Sequence, residues 1–429
     1  MTDPDAIGRL LDGTHPDPDG GAPLRVATRR VVVAPTLRGR EADCIAGLPL
    51  GRRLAVVVDP ITRGVLGDAV ERALAARGEV DAIVLPDRPH ADEATVGRLA
   101  AATTRADALV AVGAGTINDL CKYVSAGAGK PYVVFATAPS MNGYVSLNAA
   151  ITVHGHKKSL AAQAPLGAFF DLGVLAAAPP RMIRSGLGDS LCRCTAQADW
   201  LLAHHLLGLP YREAPFALLA ADEAPLFAES AALLRGDLAT MERLVRTLLL
   251  SGFGTAIVGN SQPASQGEHL ISHYVDMLGD PAWPMSFHGE QIGVTTLTMA
   301  RLQERVLASE APRVHPCTLD QAALVAKFGP ELGASCWTDY QRKRVDTTRA
   351  ERINAVLAAR WDAIRTSIAD ILRPARELEA VLRRADAPLT PAALGWPEPF
   401  YARAVAEARL IRDRYTFLDF AADTSAAAA

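Results

Sequence analysis

The chain has 429 residues, 49% hydrophobic and 21% charged, with a formal net charge of −3. That is the make-up of a globular enzyme with room for two domains, each burying its own core. So balanced a charge leaves no basic footprint for nucleic acid or an anionic membrane, and apolar runs such as 54–58 and 217–221 fall far short of the roughly 20 residues a membrane span needs. The first residues are acidic and lack a signal-type apolar core. The six cysteines (44, 121, 192, 194, 317 and 336) are scattered, as buried, reduced thiols would be. A cytoplasmic location is expected.

Residues 1–23, rich in Pro, Asp and Gly, read as a flexible leader. A β-branched run covers 29–35. Leu54-Ala55-Val56-Val57-Val58 is a continuous apolar strand ending at Asp59, followed by a helical pattern over 70–76. A strand over 81–85, a helix over 91–103 and a strand over 108–112 come next. The last of these runs into Gly113-Ala114-Gly115-Thr116 and a helix over 118–125, and 132–135 is another strand. Apolar strands alternating with helices imply a parallel sheet covered on both faces. Runs at 147–153 and 158–162 read as a hairpin, and 167–171 as a last strand. Beyond Ala178-Pro179-Pro180 the pattern is helical: 189–207, 215–234, 237–250, 262–278, 290–307, 350–372 and 400–412. The spacing therefore predicts an α/β half over 24–178 and an all-α half over 179–429, with an alanine tail at 426–429.

Gly113-Ala114-Gly115-Thr116 follows a strand and opens a helix. It reads either as a pyrophosphate loop, with glycines allowing close backbone approach to a helix N-terminus, or as a plain tight turn. The acid of the usual dinucleotide fingerprint follows the glycines by about 20 residues. Here Asp59 precedes them, so it either bonds an adenosine ribose and favours NAD, or forms a turn before Pro60. Asp189, in Gly186-Leu187-Gly188-Asp189-Ser190, reads as a helix N-cap or as a ligand. His269 and His273 are four apart and share a helix face. His288 follows from the next helix. Each histidine alone fits a packed core, as His204 and His205 do. Taken with Asp189 and the two-domain layout, they fit a divalent metal (Zn²⁺, Ni²⁺ or Fe²⁺) with coordination positions left open. Lysine is scarce, which draws attention to Lys122 and to Lys157-Lys158, each either a solvated charge or an anion contact.

Several motifs in order resemble the sn-glycerol-1-phosphate dehydrogenase family. They are Val112-Gly-Ala-Gly-Thr-Ile-Asn-Asp119 with Lys122-Tyr123, the stretch Ala136-Thr137-Ala138-Pro139-Ser140-Met141-Asn142-Gly143-Tyr144, and Pro180 to Asp189. Ala196 to Trp200, Gly267-Glu268-His269, His288-Gly289-Glu290 and Ile411 to Asp419 continue the series. The likeness runs from about residue 25 to 422. That family stands with the glycerol dehydrogenases, iron-containing alcohol dehydrogenases and dehydroquinate synthases. The resemblance implies a dehydroquinate synthase-like architecture: an N-terminal NAD(P)-binding α/β domain with a parallel sheet, an all-α C-terminal domain, and a divalent metal in the cleft. It puts the metal ligands at Asp189, His269 and His288, with His273 lining the substrate pocket. Gly113, Gly115, Thr116, Asn118 and Asp119 would surround the cofactor, with Thr137 and Ser140 nearby. Where the family has a substrate-facing aspartate, this chain has Asn142, which keeps the size and an acceptor but loses the charge. Lys158, with Lys157, is the candidate for a phosphate group.

The implied activity is metal-dependent, NAD(P)H-linked reduction of a small phosphorylated ketone, first of all dihydroxyacetone phosphate to sn-glycerol 1-phosphate. Two other readings stand beside it. One is a dehydroquinate synthase-like cyclase that recycles its NAD, or a related dehydrogenase of another polyol; the other is a non-catalytic binding protein on the same scaffold. A homodimer or higher homo-oligomer is expected, as is common for soluble enzymes.

Overall fold

The computed structural model describes residues 6–425, so the start of the expected leader and the alanine tail lie outside the described residues. Six strands form one all-parallel sheet: β1 (Arg30–Ala34), β2 (Arg53–Val58), β3 (Glu79–Val84), β4 (Ala108–Gly113), β5 (Tyr132–Ala136) and, after a hairpin, β8 (Gly167–Asp171). Their order is β1-β8-β5-β4-β2-β3. The central strands are apolar on both faces because helices cover both. Val56, Val110, Val112, Val133, Phe135 and Phe169 are all buried in one cluster, and the Phe135 and Phe169 rings stand 4.7 Å apart. The β3 edge is half-solvated, and its Glu79 and Asp81 are exposed.

β6 (Asn148–Val153) and β7 (His156–Ala161) form the expected antiparallel hairpin. Its turn is only two residues, His154 and Gly155, both with positive φ (50° and 75°). That is the twist a two-residue hairpin turn requires, and glycine supplies half of it without strain.

The chain packs into two compact units. One comprises Met1–Ser190, Glu213–Ser261 and Arg384–Asp386; the other comprises Leu191–Arg212, Gln262–Arg383 and Ala387–Ala429. Packing thus groups residues differently from a single cut at 178. The helix Leu238–Val258 lies against the helix Leu172–Ala176 and the turn Gly143–Val145, which ties 213–261 to the sheet-bearing unit. The helix Pro180–Leu207 is continuous and contributes to both units.

The leader expectation needs correcting. Residues 6–23 open with the helix Ala6–Asp12, whose Ile7 and Leu10 are buried. His15 bridges to Leu24, and the Asp19 carboxylate accepts the backbone N–H groups of Glu213 and Ala214. The Pro, Asp and Gly of this stretch make turns and a cap, where composition alone suggested disorder.

In the second unit, Tyr274, Val294, Ile353, Trp361, Phe417 and Phe420 belong to a single helical core. Helices not anticipated from the sequence lie at Gln321–Phe328, Pro330–Tyr340, Ala375–Arg384 and Phe417–Thr424. Among the described residues, no helix is long and apolar enough to cross a membrane.

Candidate metal and cofactor site

The chain leaves β2 for the edge strand β3 and returns on the other side of β2 as β4, so the strand order changes direction between β2 and β4. In parallel α/β sheets, ligands bind at the carboxyl ends of the strands beside such a reversal. The sequence places Asp59 at the end of β2 and Gly113 at the end of β4. Ala114 is extended and the helix Gly115–Gly127 begins at once, so its first N–H groups face outward from the strand end. A Cβ at Gly113 would stand 2.8 Å from the Ile117 Cβ, so glycine allows the helix to start this close to the strand. Thr116 is exposed at the tip, whereas Asn118 and Asp119 are buried. The Asn118 amide lies 3.5 Å from both the Tyr132 hydroxyl and the Asp119 carboxylate, and Asp119 accepts the Ala150 N–H at 3.1 Å. Burial raises the Asp119 carboxyl, opposed by Lys122 and the Ala150 N–H.

Lys122 is fully buried and is not a solvated charge. Its ammonium donates to Gly143 O, Ser146 Oγ and Asn148 O at 2.5–3.0 Å and pairs with Asp119 at 3.6 Å. It anchors the segment that leads into the hairpin. Asp59 caps the helix Pro60–Thr62, accepting the Thr62 N–H at 2.7 Å on Oδ1. Its turn-forming role is therefore realised.

Thr137 and Ser140, both buried, follow β5; the Thr137 N–H continues the pairing to Gly113 O at 3.2 Å. The loop from Pro139 to Asn142 is gripped by two glycines. A Cβ on Gly186 would stand 1.6 Å from Pro139 O, and one on Gly252 would stand 2.5 Å from Asn142 O. The Ser185 hydroxyl donates to Ser140 O at 3.0 Å. This grip aims the Asn142 N–H at Asp189 Oδ2, 2.7 Å away. The side chain of Lys158 is half-buried on β7, opposite Ile151.

Asp189 does not begin a helix. It lies in the middle of Pro180–Leu207, 1% exposed, where a carboxylate has no end to cap. The capping alternative is thereby removed, because Gly186 and Gly188 are inside the helix.

His269 and His273 lie on the helix Gly267–Leu278, and His288 is the first residue of His288–Leu307. Ring centroids of His269 and His288 are 5.1 Å apart, and His273 lies 6.1 and 6.4 Å from them. Glu290 reaches back to the Phe287 N–H at 2.9 Å, fixing the turn that presents His288, and Ser272 bonds Gln291 across the two helices. Ligand-capable atoms of Asp189, His269 and His288 all lie within 4.8 Å of one another.

Glu268 adds a residue whose role the sequence did not single out. It is fully buried, accepting from His269 Nδ1 at 2.9 Å, Gln266 N at 2.8 Å and Thr195 Oγ1 at 3.0 Å. Burial pushes its carboxyl up, but the His269 imidazole and the backbone donors outweigh this and hold it below the usual value. An ionised Glu268 makes Nδ1 the protonated nitrogen of His269 and leaves the Nε2 lone pair for a ligand role. A second group, Cys192, Glu268 and His269, is equally compact. There the thiol faces Ala264 O at 3.5 Å and both Glu268 oxygens are already bonded, so it backs the first group.

The family model for iron-containing alcohol dehydrogenases matches residues 32–179. The NAD(P)+ glycerol-1-phosphate dehydrogenase of Pyrococcus furiosus is 32% identical over 279 residues, which is 64% of this chain and 78% of that protein. The corresponding protein of Pyrococcus horikoshii is 34% identical over 275 residues, with 64% and 78% covered. Among solved structures, a probable glycerol dehydrogenase from Sinorhizobium meliloti superposes with a TM-score of 0.58 at 20% identity, covering 91% of this chain and 90% of that one, a likeness of fold alone. On the identity to those two dehydrogenases, sustained over 78% of each, the chain belongs to the glycerol-1-phosphate dehydrogenase family.

Proposed function

We propose that this protein is a metal-dependent, NAD(P)H-linked reductase of a small phosphorylated ketone, with dihydroxyacetone phosphate to sn-glycerol 1-phosphate as the leading reaction. The observation that carries the reading is the grouping of one buried carboxylate with two imidazoles, one of which has its tautomer locked by Glu268. One oxygen donor and two nitrogen donors suit zinc, nickel or iron, and a buried carboxylate without a capping role fits a cationic occupant. Asp189, His269 and His288 are the assigned ligands. A divalent cation held there supplies Lewis acidity toward a carbonyl or alcohol oxygen, and a nicotinamide supplies or accepts hydride.

The chain's own groups do the rest. The Asn142 N–H holds Asp189 Oδ2 and so fixes the carboxylate. Gly113, Gly115, Thr116, Asn118 and Asp119 form the dinucleotide loop, with Thr137 and Ser140 beside the nicotinamide end. Asp59 turns Oδ1 to its cap, and Oδ2 is assigned to the adenosine ribose, which disfavours a 2′-phosphate and so favours NADH. His273 delivers the proton from a ring nitrogen, and Lys158 takes the phosphate. A reducing, cytoplasmic setting, in which thiols such as these six stay reduced, is assigned with it.

The test is metal content and turnover of His269→Ala and His288→Ala. Both are expected to lose tightly bound metal and nearly all activity; a metal-free double variant that still turns over would refute the assignment.

A further inference from the structure

Asp199 is a buried carboxylate that the proposed reaction does not use. It lies ten residues beyond Asp189 on Pro180–Leu207 and is 0% exposed. A carboxylate is retained in such a place only when its oxygens are filled by donors. Here Oδ2 accepts the Gly267 N–H at 2.9 Å, and Oδ1 accepts the Phe417 N–H at 2.8 Å and the Gln303 amide at 3.3 Å. Gly267 and Phe417 are the first residues of the helices Gly267–Leu278 and Phe417–Thr424. One carboxylate therefore holds two helix N-termini, where backbone dipoles favour an anion. Gly267 is glycine because a Cβ there would stand 2.8 Å from Asp199 Oδ2 and 2.4 Å from Met299 Cε.

The same cluster holds Glu268. Thr195, one turn before Asp199, donates to Glu268 Oε2, and the Gln303 amide also donates to Thr195 O. Arg414 donates to Ser265 O from the C-terminal segment, and its charge acts on Glu268. Burial, reinforced by the charge of Glu268, pushes the Asp199 carboxyl up, and the Phe417 and Gly267 N–H groups and the Gln303 amide, all donating to its oxygens, pull the other way.

We propose that Asp199 is a positioning residue for His269: it fixes the turn that carries Glu268 and His269, and it makes residues 414–417 a working part of the metal site. The inference rests on the reading of His269 as a ligand. Asparagine at this position keeps the shape but offers one acceptor where the carboxylate offers two. One helix start then loses its partner and meets an amide N–H instead.

The experiment uses the full chain loaded with Co²⁺, reading cobalt affinity by chelator competition, the visible ligand-field spectrum and the melting temperature. Asp199→Asn is expected to weaken cobalt binding about 10–100-fold and to alter the spectrum, the usual scale for residues that orient a metal ligand. Asn354→Ala removes both side-chain bonds to the Val314 backbone, outside this cluster. It is expected to lower the melting temperature while leaving affinity and spectrum as in the wild type. Cobalt affinity and spectrum of Asp199→Asn within twofold of wild type would overturn the proposal. Should that variant not fold, Gln303→Met removes one donor to Asp199; a several-fold weaker affinity supports the proposal and an unchanged one overturns it. No cobalt uptake by the wild type, or unaltered uptake by His269→Ala, would overturn the metal reading itself and this inference with it.

Discussion

At the scale of single residues, two of the proposed metal ligands are held by neighbouring groups of the chain itself. The His269 ring is oriented by Glu268, and Asp189 by a backbone N–H. Removing the charge of Glu268 while keeping its shape should show this directly. Glu268→Gln is expected to weaken divalent-metal affinity by about 10–100-fold, read by chelator competition, because Nδ1 then faces an amide of either polarity. Asn142 offers a complementary test. Asn142→Asp leaves the N–H bond to Asp189 intact and restores the family's charge. Turnover of dihydroxyacetone phosphate is expected to rise about tenfold, the worth of one charge-assisted hydrogen bond, with metal content unchanged; unchanged kcat/KM would mean the side chain does not meet the substrate. The closeness of His269 and His273 was legible because four-residue spacing puts them on one helix face. Glu268 was not, since a glutamate early in a helix looks like any exposed acid until its burial is known. Lys122 misled in the opposite way: beside a glycine loop it suggests an anion contact, yet its three acceptors are protein oxygens.

The elements show why glycine pattern and helix pattern were confused. Gly186 and Gly188 read as a loop before a helix at 189, yet the helix begins at Pro180. Gly186 is there because the helix presses against Pro139 O, and the isolated propensity of glycine says nothing of that pressure. Gly186→Ala should therefore do more than change propensity. With Cβ 1.6 Å from a backbone oxygen, it is expected to destabilise at or beyond the upper end of the about 1–3 kcal/mol typical of overpacking. That would appear as a melting temperature lowered by several degrees, along with weaker metal binding as the Asn142–Asp189 bond stretches. A melting temperature equal to wild type would contradict the close approach. The continuous apolar runs of β2, β4 and β5 were readable because both faces are covered. β3 begins at Glu79, two residues before the expected strand, because charged residues are tolerated on its exposed edge. The expected helix over 215–234 is divided, with Pro225 inside one piece and a 3-10 turn over Ser230–Arg235. The 400–412 pattern likewise tightens to 3-10 after Glu407.

Across the whole molecule, the fold class was legible in the alternation of strands and helices, whereas the grouping of helices into units was not. Residues 213–261 look like any helical segment, and only packing assigns them to the sheet-bearing unit. Buried charge also gives the protein a pH signature. Burial and the neighbouring Asp419 raise the Asp423 carboxyl to about 7 from an ordinary 3.8, against the pull of Arg409, Tyr415 and Lys343. The folded state then binds that proton more tightly than the unfolded chain does. Its contribution is present in full below about pH 4 and is lost as pH rises through about 7. Asp423→Asn removes the titration, so its melting temperature relative to wild type is expected to rise between about pH 5 and pH 8; a constant difference would contradict the assignment. The most direct test of the central claim is oxidation of NADH and NADPH with dihydroxyacetone phosphate, by protein stripped of metal and then reloaded with zinc, nickel or iron. Activity abolished by stripping and restored by reloading is the predicted result, with NADH the better donor. Full turnover by the stripped protein, or none with any phosphorylated ketone after reloading, would contradict it.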